Sequence, residues 1–265
     1  MLHITSHSNP TIKAIRALRD KKHRRDTGLF MAEGLRICAE AVEAGQVPRQ
    51  LVYAEDARAH PLIEKLAGIV EASGGTVIET SRDILHKLTE KDNPQAVVGV
   101  FRQTATTLEA LDRSTAAIWV VVESLKDPGN LGTMLRTCDA TGAGGVILLD
   151  ASCDPFSVEA VRASMGALFT RTVVQTDGPS FLRWLRTGPG MLAGAALEGA
   201  RDYRSVSYTA PTFVFMGNEQ SGLPPEYAEA CDELVKLPML GKADSLNVAV
   251  ACAVLLYEVL DQIRR

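Results

Sequence analysis

Three segments in the second half of the chain place polar side chains and glycines directly after short apolar runs. Asn130 and Arg136 lie in DPGNLGTMLR, Glu219 lies in GNEQSG, and Ser245 and Asn247 lie in ADSLN. Each apolar run is typical of a buried strand, and each polar stretch leads towards a helix. Because α/β proteins bind ligands at strand ends and helix N-termini, three such segments together predict one convergent site. Any one of them alone is also explained by an ordinary capped βα loop.

The remaining residue types narrow the chemistry. All five histidines precede residue 104, and no cluster has metal-ligand spacing, so no metal is expected. Serine, histidine and aspartate occur without a nucleophile-elbow context, which argues against covalent acyl transfer. The glycines at 142, 144 and 145 follow a helix pattern and precede a strand pattern. A dinucleotide-binding loop has the reverse order, so these glycines are interpreted as a helix stop.

The bulk composition is that of a soluble globular protein. The chain has 265 residues, 46% of them hydrophobic and 23% charged, enough for one large or two modest domains. Its longest apolar run, Val248 to Tyr257, is shorter than the roughly 17 residues that a membrane span needs. The polar N-terminus does not resemble a signal peptide, and the five scattered cysteines form no Cys-x-x-Cys pair. We therefore expect a cytoplasmic protein whose cysteines are core residues.

A basic stretch near the N-terminus predicts a polyanion partner. The net charge is −4, yet residues 13 to 25 hold seven cations against the single carboxylate of Asp20, a local charge of +6. Phosphate contacts act over a short, screened range, so the local charge matters more than the whole-chain sum. The alternative is a solvated helix face that only keeps the protein soluble. The candidate residues for binding such a polyanion are Lys13, Arg16, Lys21, Lys22, Arg24 and Arg25.

The order of predicted elements indicates two α/β domains. Residues 1–103 form the first, the polar stretch 104–117 is interpreted as a linker, and residues 118–265 form the second. In the first domain a single cationic helix follows Asn9, and the later elements are strands at 28–32, 50–54, 76–79 and 96–101 and helices at 35–44, 61–72 and from 81. In the second domain strands at 118–123, 145–149, 172–175, 191–196, 212–216 and 233–237 alternate with helices at 132–141, 156–168, 179–186, 225–230 and 246–263. This alternation predicts a mostly parallel sheet covered on both faces.

The three polar segments resemble a known family. DPGNLGTMLRTCDATG, FMGNEQSGL and LPMLGKADSLNVAVACAVLLYE are similar, in order and spacing, to the three motifs of the SpoU/TrmH RNA ribose 2'-O-methyltransferases of the SPOUT superfamily. Ser164-Met165-Gly166 resembles a further family segment. The N-terminal region, SNPTIKAIRALRDKKHRRDTGLFMAEG, resembles the family's substrate-binding domain, a small α/β fold akin to certain ribosomal proteins. The resemblance implies that the C-terminal domain is threaded as a trefoil knot, which general topology rules would not propose.

This resemblance also implies a cofactor and the residues that hold it. S-adenosylmethionine lies bent in the knot of such proteins, held mainly by backbone groups. The motif positions imply binding by Gly217, Leu237, Met239 and Leu246, with Ala195 or Leu197 beside the adenine. A flat adenine is suited by apolar walls and a few backbone hydrogen bonds.

The family's proposed activator of the ribose hydroxyl corresponds to Arg136. A guanidinium stays protonated at neutral pH, so we expect Arg136 to bind the target phosphate and stabilise developing negative charge rather than act as a simple base. Asn130 and Glu219 are the expected orienting residues. Ser245 and Asn247 are expected to shape the loop and the hydroxyl site, and they could also cap the last helix.

The resemblance leaves several alternatives open. Ribosomal RNA is the expected substrate and transfer RNA the alternative, while a catalytically silent RNA-binding factor of the same fold, or an antibiotic-resistance methyltransferase, would carry similar motifs. Family members are homodimers through the knot region, and the last helix is apolar nearly all round, as a dimer interface would require. A long core helix would show the same pattern.

Overall fold

The computed structural model describes residues 1–90, 95–104 and 106–264, and these divide into two compact units. The N-terminal unit contains residues 1–104 and 156–170. The C-terminal unit contains the other described residues from 106 onward. No helix among the described residues combines the length and apolar composition needed to cross a membrane.

The N-terminal unit is built on a five-stranded mixed sheet. Its strand order is β1-β4-β3-β5-β2, in which β1, β4 and β3 run parallel while β5 is antiparallel to both β3 and β2. The elements of this unit before residue 104 are β1 (Leu2–Ile4), α1 (Pro10–Ala17), α2 (Lys21–Thr27), β2 (Leu29–Glu33), α3 (Leu35–Glu43), β3 (Gln50–Ala54), α4 (Pro61–Ala72), β4 (Thr76–Thr80), α5 (Arg82–Thr89) and β5 (Val97–Arg102).

The C-terminal unit is built on a seven-stranded sheet in which every strand pair is parallel. Its order is β10-β12-β9-β11-β6-β7-β8, which confirms the predicted parallel α/β architecture. The elements from residue 118 onward are β6 (Ile118–Glu123), α6 (Pro128–Thr141), β7 (Gly145–Leu149), α7 (Val158–Ser164, in the N-terminal unit), β8 (Thr172–Thr176), α8 (Gly178–Leu185), β9 (Met191–Ala195), β10 (Arg201–Asp202), β11 (Thr212–Met216), α9 (Pro225–Ala230), β12 (Glu233–Lys236) and α10 (Val248–Arg264).

The predicted single basic helix is wrong, because the structure divides it into α1 and α2. The chain turns at 18–20, and the carboxylate of Asp20 accepts a hydrogen bond from the backbone N–H of His23, so Asp20 caps a new helix. Arg24 is 3% exposed, and its guanidinium donates to the backbone carbonyls of Leu18 and Arg19 at 2.8 and 2.7 Å. The prediction that Arg24 contacts RNA is therefore also corrected, because its guanidinium N–H groups hold the turn between α1 and α2.

The segment between β7 and β8 belongs to the N-terminal unit. Phe156 and Phe169 flank α7, and their rings lie 5.0 Å from Phe30 and 4.8 Å from Phe101 respectively. The helix is shorter than the predicted 156–168, because Met165 and Gly166 adopt positive φ angles of 49° and 91° and end it. Residues 156–170 thus leave the predicted C-terminal domain and pack in the other unit, which no sequence pattern had indicated.

The predicted linker packs onto the C-terminal unit for much of its length. Leu108 and Leu111 are buried in the same core cluster as Trp119. Arg113 donates to the backbone carbonyls of Trp184 and Leu185 at 2.6 and 2.8 Å, which satisfies the end of α8.

Candidate active site

The carboxyl ends of the central parallel strands bring the three polar segments together. Strand β6 leads through residues 124–127 into α6, and its neighbour β11 leads into the turn 217–222. The helix α6 begins at Pro128 rather than near the predicted residue 132. Asp127 caps it by accepting hydrogen bonds from the backbone N–H groups of Gly129 and Asn130, and proline is well tolerated as the first helical residue.

The side chain of Glu219 joins the first two segments. Its Oε1 accepts hydrogen bonds from the backbone N–H of Asp127 and from Nδ2 of Asn130, both at 3.2 Å, and its Oε2 accepts one from the backbone N–H of Lys126 at 3.3 Å. A carboxylate oxygen can accept about two hydrogen bonds, so Oε2 keeps capacity for a further donor. Glu219 therefore fixes the loop before α6 and still presents an acceptor.

The third segment joins through Asn247. Its Nδ2 donates to Oδ1 of Asn130 at 2.9 Å, while its Oδ1 accepts from the backbone N–H groups of Ala249 and Val250 at the start of α10. Asn247 therefore caps α10 and continues the same hydrogen-bonded series, Asn247 to Asn130 to Glu219. This series connects residues that lie 117 and 89 positions apart in sequence.

Two further residues of this site were not among the candidates. Nδ2 of Asn218 donates to the backbone carbonyl of Ser124 at 2.9 Å, and its Oδ1 accepts from the backbone N–H of Gln220, so Asn218 also ties the two loops together. Asp127 caps α6 and donates its backbone N–H to Glu219. The sequence signal for each is local: an aspartate directly before a helix-starting proline, and an asparagine inside a glycine-bounded turn.

Two predicted catalytic residues lie outside this hydrogen-bonded series. Arg136 is exposed on α6, six residues or about 9 Å along the helix axis beyond Asn130. Within the described part of the chain, no hydrogen bond or ion pair holds its guanidinium group. Ser245 is also exposed, and its Oγ lies 3.3 Å from Oδ1 of Asp244. The guanidinium of Arg136 is therefore free to meet an anion from solution.

Four of the six candidate cofactor residues lie at or just beyond the ends of three adjacent strands, while Met239 and Leu246 lie in the loop between β12 and α10. The register pairs Ala195 of β9 with Val235 of β12 and Gly194 of β9 with Phe215 of β11, so residues 195–197, 217 and 237 follow at one edge of the sheet. Leu197 is 62% exposed, and Leu246, beside Asn247, is 43% exposed. Leu237 and Met239 are half-buried.

This edge of the sheet fits a ligand with an apolar, flat part such as adenine. It offers the exposed Leu197 and the half-buried Leu237 beside strand-end backbone groups, and Leu240, which sequence reasoning did not select, is 98% exposed in the loop after β12. Gly217 is buried, and a Cβ atom at this position would collide with the backbone of Gly222 and Leu223. A glycine is therefore required at position 217 because the chain of the turn 217–222 returns close to its own start.

The exposed candidate RNA-binding residues lie on the two short basic helices. Lys13 and Arg16 are exposed on α1, whose Ile12 and Ile15 are buried. Lys21, Lys22 and Arg25 are exposed on α2. In the described residues, no group of three or more histidine, cysteine, aspartate or glutamate side chains could hold a metal ion.

The fold and the site define an α/β protein with a ligand edge on a parallel sheet and a second domain that carries two short basic helices. The sequence model of the SpoU rRNA methylase family matches residues 117–257, and the sequence model of the MRM3-like substrate-binding domain matches residues 9–99. The chain belongs to the SpoU rRNA methylase family. This membership confirms the predicted class, an RNA methyltransferase enzyme.

Relatives agree with this assignment over nearly the whole chain. The chain is 30% identical to the 23S rRNA (guanosine(2553)-2'-O)-methyltransferase RlmP of Bacillus subtilis, with 98% of this chain and 99% of the relative covered. An AdoMet-bound rRNA methyltransferase from Sinorhizobium meliloti is 40% identical, with a TM-score of 0.92 and 98% of each chain covered.

A third relative is the SpoU methyltransferase AviRb from Streptomyces viridochromogenes, in complex with the cofactor AdoMet. It is 30% identical, with a TM-score of 0.88, and 97% of this chain and 98% of the relative are covered. Two solved relatives thus carry S-adenosylmethionine, which confirms the predicted cofactor.

Proposed function

We propose that this protein transfers a methyl group from S-adenosylmethionine to a ribose 2'-hydroxyl of ribosomal RNA. The observation that carries the proposal is the hydrogen-bonded series Asn247, Asn130 and Glu219, which unites the three polar segments beside an apolar strand edge. A nucleophile of this kind must be held in line with the methyl carbon and needs no covalent link to the protein. Amide and carboxylate groups fixed by one another supply that orientation.

Ribosomal RNA is favoured over transfer RNA by the named relatives. The Bacillus subtilis protein is named for guanosine 2553 of 23S rRNA, and a Streptomyces viridochromogenes protein, 31% identical over 92% of this chain, for uridine 2479. These two relatives are about equally similar to this chain and act on different nucleotides. The similarity therefore supports the class of RNA and is compatible with either a housekeeping or an antibiotic-resistance role.

The cofactor residues serve to hold and shield one ligand. The proposal assigns the apolar wall to Ala195, Leu197, Leu237, Met239 and Leu246. Gly217 gives this wall a strand end that carries no side chain. When bound, S-adenosylmethionine supplies an electrophilic methyl group on a sulfonium centre.

The polar residues serve the ribose. Oε2 of Glu219, which accepts one hydrogen bond within the protein, accepts a second from the 2'-hydroxyl, and Asn130 keeps the Glu219 side chain in place. Arg136 binds the neighbouring phosphate and stabilises the negative charge that develops on the ribose oxygen as the hydroxyl proton passes to solvent water. Ser245 lies in the exposed loop before Asn247, and the proposal gives it a share in shaping the hydroxyl site.

Pairing of two copies through α10 completes the proposal. Val250 and Tyr257 are 49% and 54% exposed on this helix, and a cavity of about 410 Å³ lies between Tyr257, Val254 and Tyr203. An exposed apolar helix face of this kind suits a second copy of the chain. The trefoil knot, the cytoplasmic location and a division of the chain near residues 104–117, with residues 156–170 returning to the N-terminal unit, belong to the same proposal.

Ribose methylation mapped by mass spectrometry in 23S rRNA and transfer RNA, from cells with and without the gene, tests this function. One ribose 2'-O-methyl group of 23S rRNA should disappear with the gene and return with a plasmid copy. Loss confined to transfer RNA would replace the substrate. An unchanged methylation pattern in both RNAs would favour the silent RNA-binding factor.

A further inference from the structure

A groove with a volume of about 620 Å³ lies at one end of the mixed sheet of the N-terminal unit. Its walls come from the starts of β4, β3 and β2 and the end of β5, which are neighbours in the sheet. The register places Gln50 of β3 between Thr76 of β4 and Val100 of β5. Four strands spaced by about 4.8 Å give the groove a length of about 14 Å, several times the axial spacing of about 3.4 Å between phosphates in a helical strand.

The charged side chains of the groove are two arginines. Arg49 and Arg102 both line it and both are exposed, while Gln50 and Thr76 add neutral polar groups. Within the described residues, neither guanidinium has a hydrogen-bond or ion-pair partner, and no carboxylate lines the groove. Each guanidinium can offer parallel N–H donors to two oxygens of one phosphate.

The backbone of the groove does not oppose an anion. Gly28 and Gly74 line it with positive φ angles of 65° and 75°, and a Cβ atom at either position would meet no heavy atom within 4 Å, so open space borders the main chain here. Backbone carbonyls would repel a phosphate, but Nε2 of Gln103 donates to the carbonyl of Arg24 in α2 and to that of Leu29 in β2, at 3.1 and 3.2 Å. The two arginines therefore set the sign of the local field.

We propose that this groove binds the phosphodiester backbone of the RNA substrate through Arg49 and Arg102. The inference rests on the proposed function, because an RNA substrate supplies the polyanion. Continuity with α2 favours an extended chain over a small phosphate. That helix carries the exposed Lys21 and Lys22 and ends at Thr27, which lines the groove, so the cationic surface continues beyond the cavity.

The test is a double variant, Arg49→Gln with Arg102→Gln, in the full chain. Binding of fluorescein-labelled poly-uridylate is titrated at several potassium chloride concentrations. Two lost phosphate contacts should lower the slope of log K against log salt by about 1.4, and at 0.1 M salt this corresponds to roughly 25-fold weaker binding. A charge-retaining double variant, Arg49→Lys with Arg102→Lys, should restore the slope.

The matched control removes two other exposed arginines of the same unit, Arg58→Gln with Arg82→Gln. These arginines pair with the carboxylates of Glu79 and Asp56. This control should leave the slope within about 0.3 of the wild-type value, as expected when no phosphate contact is lost. An equal fall in both double variants, or no fall in the groove variant, overturns the proposal.

The competitor identifies the ligand, and a separate assay separates this inference from the proposed function. Inorganic phosphate, at an ionic strength matched with chloride, should not displace poly-uridylate from the wild-type protein. If phosphate does displace it, and the displacement is absent in the groove variant, the groove is a small-anion site and the RNA assignment is overturned. The groove variant should keep wild-type affinity for S-adenosylhomocysteine and methylate RNA with raised KM and unchanged kcat. Absence of methyl transfer by the wild type would refute the proposed function, while a changed salt slope would still support the groove.

Discussion

Replacing Glu219 by glutamine tests whether the hydrogen-bonded series orders the active site. The substitution keeps the shape of the side chain but leaves one acceptor oxygen, which can still serve Asp127 and Asn130. The new amide group faces the backbone N–H of Lys126, so donor meets donor and the bond at 3.3 Å is lost. The two remaining bonds lose the assistance of the negative charge.

The expected loss follows from these three bonds. One lost hydrogen bond costs about 1 kcal/mol, and the uncharged acceptor weakens each of the other two bonds by about 0.5 kcal/mol. The ordered conformation of the loop before α6 is therefore destabilised by roughly 2 kcal/mol. The carboxylate of Glu219 is exposed, and we therefore use the value for an ordinary hydrogen bond rather than the larger value for a charged acceptor. At 1.36 kcal/mol per tenfold, kcat/KM should fall about 10- to 30-fold.

The assay is transfer of a labelled methyl group to RNA under kcat/KM conditions, with Glu229→Gln as the control. Glu229 is an exposed glutamate on α9 of the same unit, and within the described residues its carboxylate has no hydrogen-bond partner. A double-mutant cycle with Asn130→Ala should give a coupling energy of about 1 kcal/mol, because the two side chains are in direct contact. Activity of Glu219→Gln within twofold of the control, or a coupling energy near zero, would refute the ordering role.

Three further substitutions or reactions test separate parts of the structure. Gly217→Ala should displace the turn 217–222 and weaken the binding of S-adenosylhomocysteine, measured by calorimetry, at least tenfold. The control Gly241→Ala, where a Cβ atom meets open space, should bind it with wild-type affinity. Equal affinities of the two variants would contradict the collision of a Cβ atom at position 217 with the backbone of Gly222 and Leu223. Arg113→Ala removes four hydrogen bonds and a contact at 3.9 Å over the ring of Trp184, so the free energy of unfolding in urea should fall by about 2 kcal/mol. The control Arg183→Ala should lower it by less than about 0.5 kcal/mol. Equal losses would argue against the role of Arg113 in anchoring the segment 106–117 to α8. Burial raises the pKa of Cys153 to about 11 and the pKa values of the other four thiols at least as far, so at pH 8 the folded protein should react slowly with a disulfide reagent and fully once unfolded; rapid reaction of one thiol would contradict this.

Six of the seven strands of the parallel sheet were predictable because each contains a short apolar stretch bounded by turn residues. Two strands were missed for the opposite reason: Leu2–Ile4 has three residues and Arg201–Asp202 has two, and both are mostly exposed. Strand periodicity cannot be recognised over so few positions.

Contacts between distant segments were beyond the sequence pattern. The apolar residues of 156–170 indicated burial but not burial in the N-terminal unit against Phe30 and Phe101. The charge of Arg24 indicated a solvent-facing side chain, yet two backbone carbonyls in the preceding turn take its donors. The convergence of Asn130, Glu219 and Asn247 was expected from strand-end placement, while their partners and distances required the structure.

The most direct measurement is transfer of a labelled methyl group from S-adenosylmethionine to ribosomal RNA, followed by digestion and mass analysis of the nucleosides. The RNA should come from cells that lack the gene, so that the target ribose is unmodified. We predict one labelled 2'-O-methylnucleoside with the wild-type protein and at least a hundredfold slower transfer with Arg136→Ala, which corresponds to about 2.7 kcal/mol of lost charge stabilisation. Label on a base, no label with the wild-type protein, or equal rates for the two proteins would contradict it.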